Sequence, residues 1–131
     1  MSPEDRALID AAIDASRRAY APYSKYHVGA ALRATGGAVY QGCNIENASY
    51  PVTICAERVA LVKAVSEGVR EFETIAVVTH NGGSPCGMCR QMLFEFAPNL
   101  RVLIADFEGS LHQDLKLSEL LLHGFGPSKL E

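Results

Sequence analysis

The sequence predicts an α/β fold in which a mixed and at least partly parallel β-sheet lies between helices. Two apolar, β-branched runs, TIAVVTH at 74–80 and RVLIADF at 101–107, are typical of strands buried on both faces. Helical patterns alternate with strands, so the order from residue 38 to 106 is strand, helix, strand, helix, strand. This order requires two crossover connections, which are expected to be right-handed. With 131 residues and 48% apolar composition, residues 1–131 are expected to form a single domain.

The first helix and a hairpin are indicated by local signals. Ser2 as N-cap and Pro3 at the first helical position predict a helix from 3 to about 19. Two β-prone runs, HVGAALRA and AVYQGCN, flank the turn residues Gly36-Gly37 and predict a hairpin.

The later helices are indicated by apolar patterns and by their end signals. Residues 53–66 are apolar on most of a helical circumference, which predicts a buried helix that ends at Gly68. A further helix begins at Ser84-Pro85 and stops at Pro98-Asn99. The segment LSELLLHGFG predicts a short helix followed by a glycine-rich tail.

Composition excludes several classes of partner. The 12 basic and 15 acidic residues give a net charge of -3 and form no block of either sign, so a nucleic-acid polymer is not an expected partner. The N-terminal 20 residues lack the pattern of a secretory signal, and no stretch approaches the ~18 apolar residues of a membrane span. We expect a soluble, cytoplasmic protein whose four cysteines are thiols or metal ligands.

The cysteines suggest a metal site. Cys86 and Cys89 form a C-x-x-C motif at a predicted helix N-terminus, where unpaired backbone amides favour thiolates. This motif alone fits zinc, redox chemistry or chance. Cys55 lies at the start of the other crossover helix, so parallel strands would bring the three thiols to one edge of the sheet. Three sulfur ligands leave one open position on tetrahedral zinc, which is the catalytic arrangement.

A carboxylate accompanies this cluster. Glu57 stands two residues after Cys55 in TICAERVALV, and burial of an acid in the first turn of a helix is costly without a function. A proton shuttle beside a zinc-bound water is such a function, and C-A-E with P-C-G-M-C matches the zinc-deaminase signature. Arg58 is either a surface charge or a counter-charge to the thiolates.

Other interpretations of the cysteines remain open. The three could be inert buried thiols, or Cys43 could complete a closed structural zinc site. A C-x-x-C oxidoreductase would leave Cys55 and Glu57 without a role. His80, His112 and His123 show no ligand spacing and are expected to be ordinary surface or loop residues.

Five segments carry a resemblance to a known family: PYSKYHVGAAL, GCNIENASYP, TICAERVAL, SPCGMCRQ and GFGP. In this order the chain resembles the small homotetrameric cytidine deaminases nearly end to end. The resemblance implies a three-layer fold with about five strands, one zinc ion per chain held by Cys55, Cys86 and Cys89, and Glu57 as the catalytic acid and base. The implied reaction is hydrolytic deamination of cytidine and 2′-deoxycytidine to the uridine nucleosides and ammonia, a step of pyrimidine salvage.

The resemblance also implies substrate contacts. Residues that match the family's nucleoside-binding positions, including those that reach a neighbouring subunit's pocket, are Tyr26, Asn44, Glu46, Ala56, Ala48, Tyr50 and Phe125. Asn44 and Glu46 would hold the ribose hydroxyls, while Tyr26 and Phe125 would pack around the base. The sequence departs from the family in that Tyr26 stands where Phe is usual and His27 replaces a common Pro.

Two competing functions are a deaminase of another cytosine-like compound, such as a nucleoside antibiotic, and a non-catalytic zinc-stabilised module. The segment NIEN favours a ribose.

Overall fold

The structure is a computed structural model that describes residues 1–83 and 87–120. In this part of the chain, one five-stranded sheet lies between helices on both faces. The helices are α1 (Pro3–Ser16), α2 (Ala56–Ser66), α3 (Gly87–Phe96) and α4 (Leu117–Leu120), and a 3₁₀ turn covers Tyr50–Val52. The strands are β1 (Gly29–Ala34), β2 (Val39–Cys43), β3 (Phe72–Thr79), β4 (Arg101–Asp106) and β5 (Leu111–Lys116).

The sheet is mixed, with the strand order β2-β1-β3-β4-β5. Strand β1 is antiparallel to both β2 and β3, β3 is parallel to β4, and β4 is antiparallel to β5. It follows that β2 and β3 run in the same direction on either side of β1. The two crossovers that the sequence predicts are confirmed, because α2 joins β2 to β3 and α3 joins β3 to β4.

Apolar side chains alternate between the two faces of the central strands. On β3, Ile75 and Val77 face one core, whereas Ala76 and Val78 face the other. The first core is covered by α2, α3 and α4, and the second is covered by α1. Both faces of β3 are therefore buried, which explains why its sequence is a continuous apolar run.

Strand β5 is the element that the sequence analysis missed. Its residues LHQDLK are mostly exposed, so they carry no hydrophobic pattern that would predict a strand. Pairing with β4 at the edge of the sheet holds it in place, and Arg101 donates two hydrogen bonds to the carboxylate of Asp114, at 2.9 and 2.7 Å. An edge strand of this kind depends on its neighbour rather than on its own sequence pattern.

The helix ends differ from the predicted ones. Ser2 caps α1 as expected, accepting a hydrogen bond from the backbone N–H of Asp5 at 3.2 Å, but α1 ends at Ser16 rather than near 19. Helix α2 begins at Ala56 rather than at 53, because Ile54 pairs with Ile45 through two 2.9 Å backbone hydrogen bonds.

The last two predicted helices are described in part. The predicted helix start at Ser84-Pro85 lies outside the described residues, and α3 ends at Phe96, just before Ala97-Pro98. The short helix predicted at the start of LSELLLHGFG is present as α4, and its tail from residue 121 on lies outside the described residues.

Helix α2 rests directly on the backbone of β2. A Cβ atom at Gly42 would collide with the carbonyl oxygen of Ala56 and would stand 2.5 Å from the backbone nitrogen of Ala60. Only glycine leaves room for this contact. Gly42 therefore sets the position of the first turn of α2, which carries Glu57.

We expect Gly42→Ala to lower the free energy of unfolding by at least about 1–3 kcal/mol, since the clash is with backbone rather than with a movable side chain. Urea denaturation measures this loss. Gly36→Ala is the matched control, because a Cβ at Gly36 meets no atom within 4 Å and is expected to change stability by less than about 0.5 kcal/mol. Equal stabilities for the two variants would contradict the close packing of α2 on β2.

Candidate active site

Glu57 is the buried acid of the site. It lies in the first turn of α2 with 4% of its surface exposed. Burial raises the pKa of its carboxyl group to about 7, and the charge of Cys55 acts in the same direction. Hydrogen bonds from its own backbone N–H and from Cys89 oppose the rise. In the protein without metal, the side chain can therefore hold or release a proton near neutral pH. The positive charge of a bound Zn²⁺ would lower this pKa and favour the carboxylate.

Cys55 and Cys89 both lie close enough to this carboxyl to act on its pKa. Cys55 is the N-cap of α2, with extended backbone at φ -73° and ψ 153°, and it makes no side-chain capping hydrogen bond. Cys89 is fully buried in the first turn of α3. Both thiols thus lie at helix N-termini, where the helix dipole and free amides favour thiolates, as the sequence predicts.

Arg58 is a counter-charge and not a plain surface residue. Its Nη2 donates to the carbonyl oxygen of Thr53 at 2.9 Å and to Cys55 Sγ at 3.8 Å. Burial alone would lower the pKa of the guanidinium, but the hydrogen bond and charge of Cys55, and then those of Cys89, raise it. The buried Nε of Arg58 has no hydrogen-bond partner in the described part of the chain. The cation is therefore held beside the two thiols at a cost in solvation.

Cys43 lies on the wrong side of the sheet to join this group. It pairs with Gly29 in the β1–β2 ladder, so both residues point to the same face. A Cβ at Gly29 would collide with Ala12 of α1, which shows that α1 covers this face. Cys55 instead caps α2 on the opposite face. The alternative of a closed zinc site with Cys43 as fourth ligand is therefore excluded.

The third predicted ligand, Cys86, lies outside the described residues, as does Phe125. Within residues 1–83 and 87–120, no group of three His, Cys, Asp or Glu side chains is placed to hold a metal ion. Two of the three predicted thiols are accordingly seen together, and the third position directly precedes Gly87, the residue at which α3 begins.

A cavity of about 310 Å³ opens above Glu57. Its size is in the range of small-ligand sites. Seven residues predicted for the site line it: Tyr26, Asn44, Glu46, Tyr50, Cys55, Ala56 and Glu57. Ala48 is exposed and does not belong to the wall. The cavity also contacts residues that the sequence analysis did not single out, namely Ser24, Val28, Thr53, Val77, Thr79 and Gly83.

Asn44 holds the chain segment that forms one wall of the cavity. Its Nδ2 donates to the carbonyl oxygen of Tyr26 at 2.8 Å, and its Oδ1 accepts from the backbone N–H of Val28 at 2.9 Å. Asn44 is buried, so these bonds satisfy backbone groups that have little access to water. One hydrogen of Nδ2 and one lone pair of Oδ1 are left for a ligand.

Glu46 holds the same segment at a second point. Its Oε1 accepts from the backbone N–H groups of Tyr23 and Ser24 at 3.0 and 3.1 Å, and its Oε2 accepts from the Ser24 hydroxyl. The Ser24 hydroxyl, followed by these backbone groups, outweighs burial and keeps the pKa of Glu46 below its usual value. A carboxylate has about four acceptor sites, so one remains for a substrate hydroxyl.

Tyr26 is fixed by residues that sequence reasoning did not connect with it. Its hydroxyl donates to Asn81 Oδ1 at 2.8 Å, and the edge of His80 meets its ring at 5.1 Å between centroids. His80 is exposed, as expected for a loop residue, but it also contacts the candidate base wall. His112 pairs with Asp106 at 2.8 Å and is not among the residues that line the cavity, and His123 lies outside the described residues.

Comparison with known proteins agrees with this geometry. A family model for the cytidine and deoxycytidylate deaminase zinc-binding region matches residues 2–105. The chain belongs to this family. A cytidine deaminase of Sporosarcina psychrophila is 45% identical over 126 residues, which cover 94% of this chain and 92% of that protein. The crystal structure of a cytidine deaminase from Burkholderia pseudomallei superimposes with a TM-score of 0.88 at 45% identity, covering 95% of this chain and all of that one.

A relative with another name also matches. It is a blasticidin-S deaminase of Bacillus cereus, 37% identical over 114 residues that cover 79% of this chain and 81% of that protein. The family and the α/β fold predicted from sequence are both confirmed by these matches. In addition, no helix among the described residues is long and apolar enough to cross a membrane.

The donor set fits the zinc ion of this deaminase family. Thiolates favour zinc over hard cations such as magnesium, and the two described thiols lie at helix N-termini beside a guanidinium that stabilises their charge. Neither Cys55 nor Cys89 is oxidised to a disulfide in the described part of the chain. A buried carboxyl beside them is the group that a metal-bound water would need as a proton acceptor.

We expect Asn44→Ala to lower the free energy of unfolding by about 1–3 kcal/mol, because partly buried backbone groups of Tyr26 and Val28 would lose their hydrogen-bond partners. Chemical denaturation measures the change. Asn47→Ala is the control, since Asn47 is exposed and its side chain accepts a local hydrogen bond from the backbone N–H of Ser49. A loss in Asn44→Ala no larger than that in Asn47→Ala would show that the Tyr26–Val28 segment does not depend on Asn44.

Proposed function

We propose that this protein hydrolytically deaminates cytidine and 2′-deoxycytidine, yielding uridine and 2′-deoxyuridine with release of ammonia. The single observation that carries the proposal is the buried Glu57, which lies beside Cys55 and Cys89 at the base of a nucleoside-sized cavity. The other walls of this cavity carry an aromatic ring and two groups with free hydrogen-bonding capacity, which suits a base joined to a sugar. The substrate follows from the names of the relatives.

Zinc is the cofactor, with one ion per chain held by Cys55, Cys86 and Cys89. Bound zinc would supply Lewis-acid chemistry, lowering the pKa of a water at its open position so that this water could serve as the nucleophile near neutral pH. Arg58 offsets the negative charge of the thiolates through its contact with Cys55.

Glu57 moves the protons of the reaction. Its carboxylate accepts a proton from the attacking water and delivers it to N3 of the ring. It then accepts a second proton from the hydroxyl now on C4 and delivers it to the amino nitrogen, which leaves as ammonia as the C4–N bond breaks and C4=O forms. The raised pKa of the buried carboxyl matches this role, because one group must both accept and donate near neutral pH. Burial also keeps bulk water from competing for these protons.

Asn44 and Glu46 bind the ribose, and Tyr26 and Ala56 contact the base. Each polar side chain has capacity left after its contacts with the protein, and both line the cavity. Because these side chains are already fixed by backbone partners, they would lose little conformational entropy on binding a sugar. This argument favours nucleosides over free cytosine.

A second candidate is deamination of another cytosine-like compound, such as a nucleoside antibiotic. The match to a blasticidin-S deaminase supports it. The available hydrogen-bonding groups of Asn44 and Glu46 favour the ribose nucleosides. Parallel assays with cytidine and blasticidin S decide between the two, since the better substrate has the larger kcat/KM.

We expect Glu57→Gln to keep zinc and fold but to lose about two to four orders of magnitude in kcat, because an amide cannot carry the proton. The fall in ultraviolet absorbance on mixing with cytidine measures turnover. Glu67→Gln is the control on the same helix, since Glu67 is the exposed C-cap residue of α2.

No turnover of cytidine by the zinc-loaded parent would refute the proposed function and would favour the non-catalytic zinc module. Turnover by Glu57→Gln above about a tenth of the parent rate would refute the role of Glu57.

We expect Cys55→Ala to lose most of the bound zinc, and Cys43→Ala to keep about one ion per chain. The two cysteines differ in the face of the sheet on which they lie. Elemental analysis after dialysis measures the metal content. Equal loss of zinc from both variants, or an active parent that contains no zinc, would contradict the ligand assignment.

The working unit is a homotetramer in the cytoplasm, in which Ala48, Tyr50 and Phe125 reach towards a neighbouring subunit's site. Tyr50 supports this proposal, because it lines the mouth of the cavity yet is 69% exposed in the single chain. Tyr20, Tyr23 and Val52 are also exposed, which leaves an apolar surface that a second copy could cover. The cytoplasm keeps the ligand thiols reduced.

Sedimentation equilibrium is expected to give about four times the chain mass of 14.1 kDa. Burial of the exposed tyrosines between subunits is the physical reason. In mixed assemblies, an inactive Glu57→Gln chain and an inactive Phe125→Ala chain are expected to restore part of the activity, since some sites would combine intact residues from both. An active species of single-chain mass would exclude shared sites.

A further inference from the structure

Tyr26 reaches the cavity wall from the loop before β1, and its hydroxyl is held by a residue 55 positions later in the chain. Asn81 Oδ1 accepts the hydrogen bond of Tyr26 Oη at 2.8 Å. The ring of His80 meets the Tyr26 ring edge-on, at 72° between planes. Tyr26 lines the cavity, whereas Asn81 and His80 are not among the residues that line it. Two neighbours outside the cavity wall therefore fix the ring that the cavity presents.

Asn81 is itself held by a buried group. Thr79, which is 3% exposed at the end of β3, donates from Oγ1 to the same Asn81 oxygen at 3.2 Å. Thr79 Oγ1 in turn accepts from the backbone N–H of Gly83 at 2.9 Å, and Gly83 lines the cavity. These hydrogen bonds form a chain from the Gly83 N–H to Thr79 Oγ1 and on to Asn81 Oδ1. The Tyr26 hydroxyl donates to the same Asn81 oxygen. The strand end thus determines where the Tyr26 hydroxyl is placed.

We propose that Asn81 is a positioning residue that holds the Tyr26 ring in place for packing against the base of the nucleoside. This proposal rests on the proposed function, and it adds a determinant of nucleoside affinity outside the zinc site and the ribose contacts. A phenylalanine at this position would have no hydroxyl to anchor. The ring of a tyrosine is fixed before the nucleoside binds, provided that its hydroxyl has an acceptor. An aromatic side chain without this hydrogen bond would lose rotamer freedom on binding, which would weaken the affinity.

The contact acts on binding and not on chemistry. The side-chain oxygen of Asn81 is bonded to Tyr26 and Thr79, and Asn81 is not among the residues that line the cavity beside Glu57. Loss of its side-chain oxygen therefore leaves the proton shuttle and the thiols in place. Its effect falls on KM and on the affinity for nucleosides that do not react.

The experiment compares four zinc-loaded proteins with the parent, namely Asn81→Ala, Asn81→Asp, Tyr26→Phe and the double variant Asn81→Ala with Tyr26→Phe. Calorimetry gives the Kd of uridine, which does not react, and the cytidine assay gives kcat and KM. Asn81→Ala is expected to raise both Kd and KM about three- to tenfold, since one side chain must now be ordered on binding. Its kcat and zinc content are expected to stay within about twofold of the parent values.

Two comparisons separate positioning from a general structural effect. Asn81→Asp keeps an oxygen that accepts from both Tyr26 and Thr79, so it is expected to retain the parental Kd. The double variant is expected to bind uridine as weakly as Asn81→Ala alone, because both changes remove the same contact. Asn99→Ala, an exposed change at the opposite end of the sheet next to β4, is the control and keeps the parental Kd.

The outcomes keep this inference distinct from the proposed function. A parent that does not deaminate cytidine refutes the proposed function. If the parent does deaminate cytidine, an unchanged Kd of uridine in Asn81→Ala overturns the role of Asn81. Fully additive effects on Kd in the double variant overturn it as well. If circular dichroism shows that Asn81→Ala does not fold, the Kd of uridine for Tyr26→Phe tests the proposal instead. A parental Kd in Tyr26→Phe then overturns the proposal.

Discussion

The contact between the first turn of α2 and the backbone of β2 at Gly42 is the constraint on which the candidate site depends. No side chain separates the two elements there, so the helix start has one position on the sheet. This contact fixes the position of the residues at the start of α2, namely Cys55, Glu57 and Arg58. The free amides of the helix start then favour negative charge at the same point, which is what thiolate ligands require.

The site combines groups that are unfavourable when buried one by one. Burial favours the neutral form of Glu57, and Arg58 keeps its charge although its buried Nε has no hydrogen-bond partner among the described residues. Each group is tolerated because the other groups and the thiols lie within reach. The core on this face of β1, β3 and β4 contains a large cluster of buried apolar side chains, whose burial can offset such local costs. Buried ionisable groups with shifted pKa values, such as these, are typical of functional sites, where activity is retained at some cost in stability.

Substrate binding and local folding are coupled at Asn44 and Glu46. Both side chains hold the segment that carries Tyr26, and both also present unused hydrogen-bonding capacity to the cavity. The proposed ribose contacts and the base wall are therefore parts of one structure. Effects of substitutions at these positions on nucleoside affinity have to be separated from their effects on folding, because the same bonds contribute to both.

The sequence by itself determined the elements and residues whose signal is local. Strands β3 and β4 are recognisable because they are buried on both faces. Cys55, Glu57 and Cys89 stand at helix starts that the order of elements brings to one edge. The comparisons agree with the family that these motifs indicate.

Only the tertiary structure decided the features that depend on distant pairs of residues. Strand β5 exists through its pairing with β4, since its own residues face solvent and carry no pattern. Cys43 faces the side of the sheet that α1 covers, whereas Cys55 caps α2 on the other side, although both are cysteines near the ends of elements. The anchoring of Tyr26 by Asn81 joins residues 55 positions apart, and no local sequence pattern specifies a contact that is made only when β1 and β3 pair.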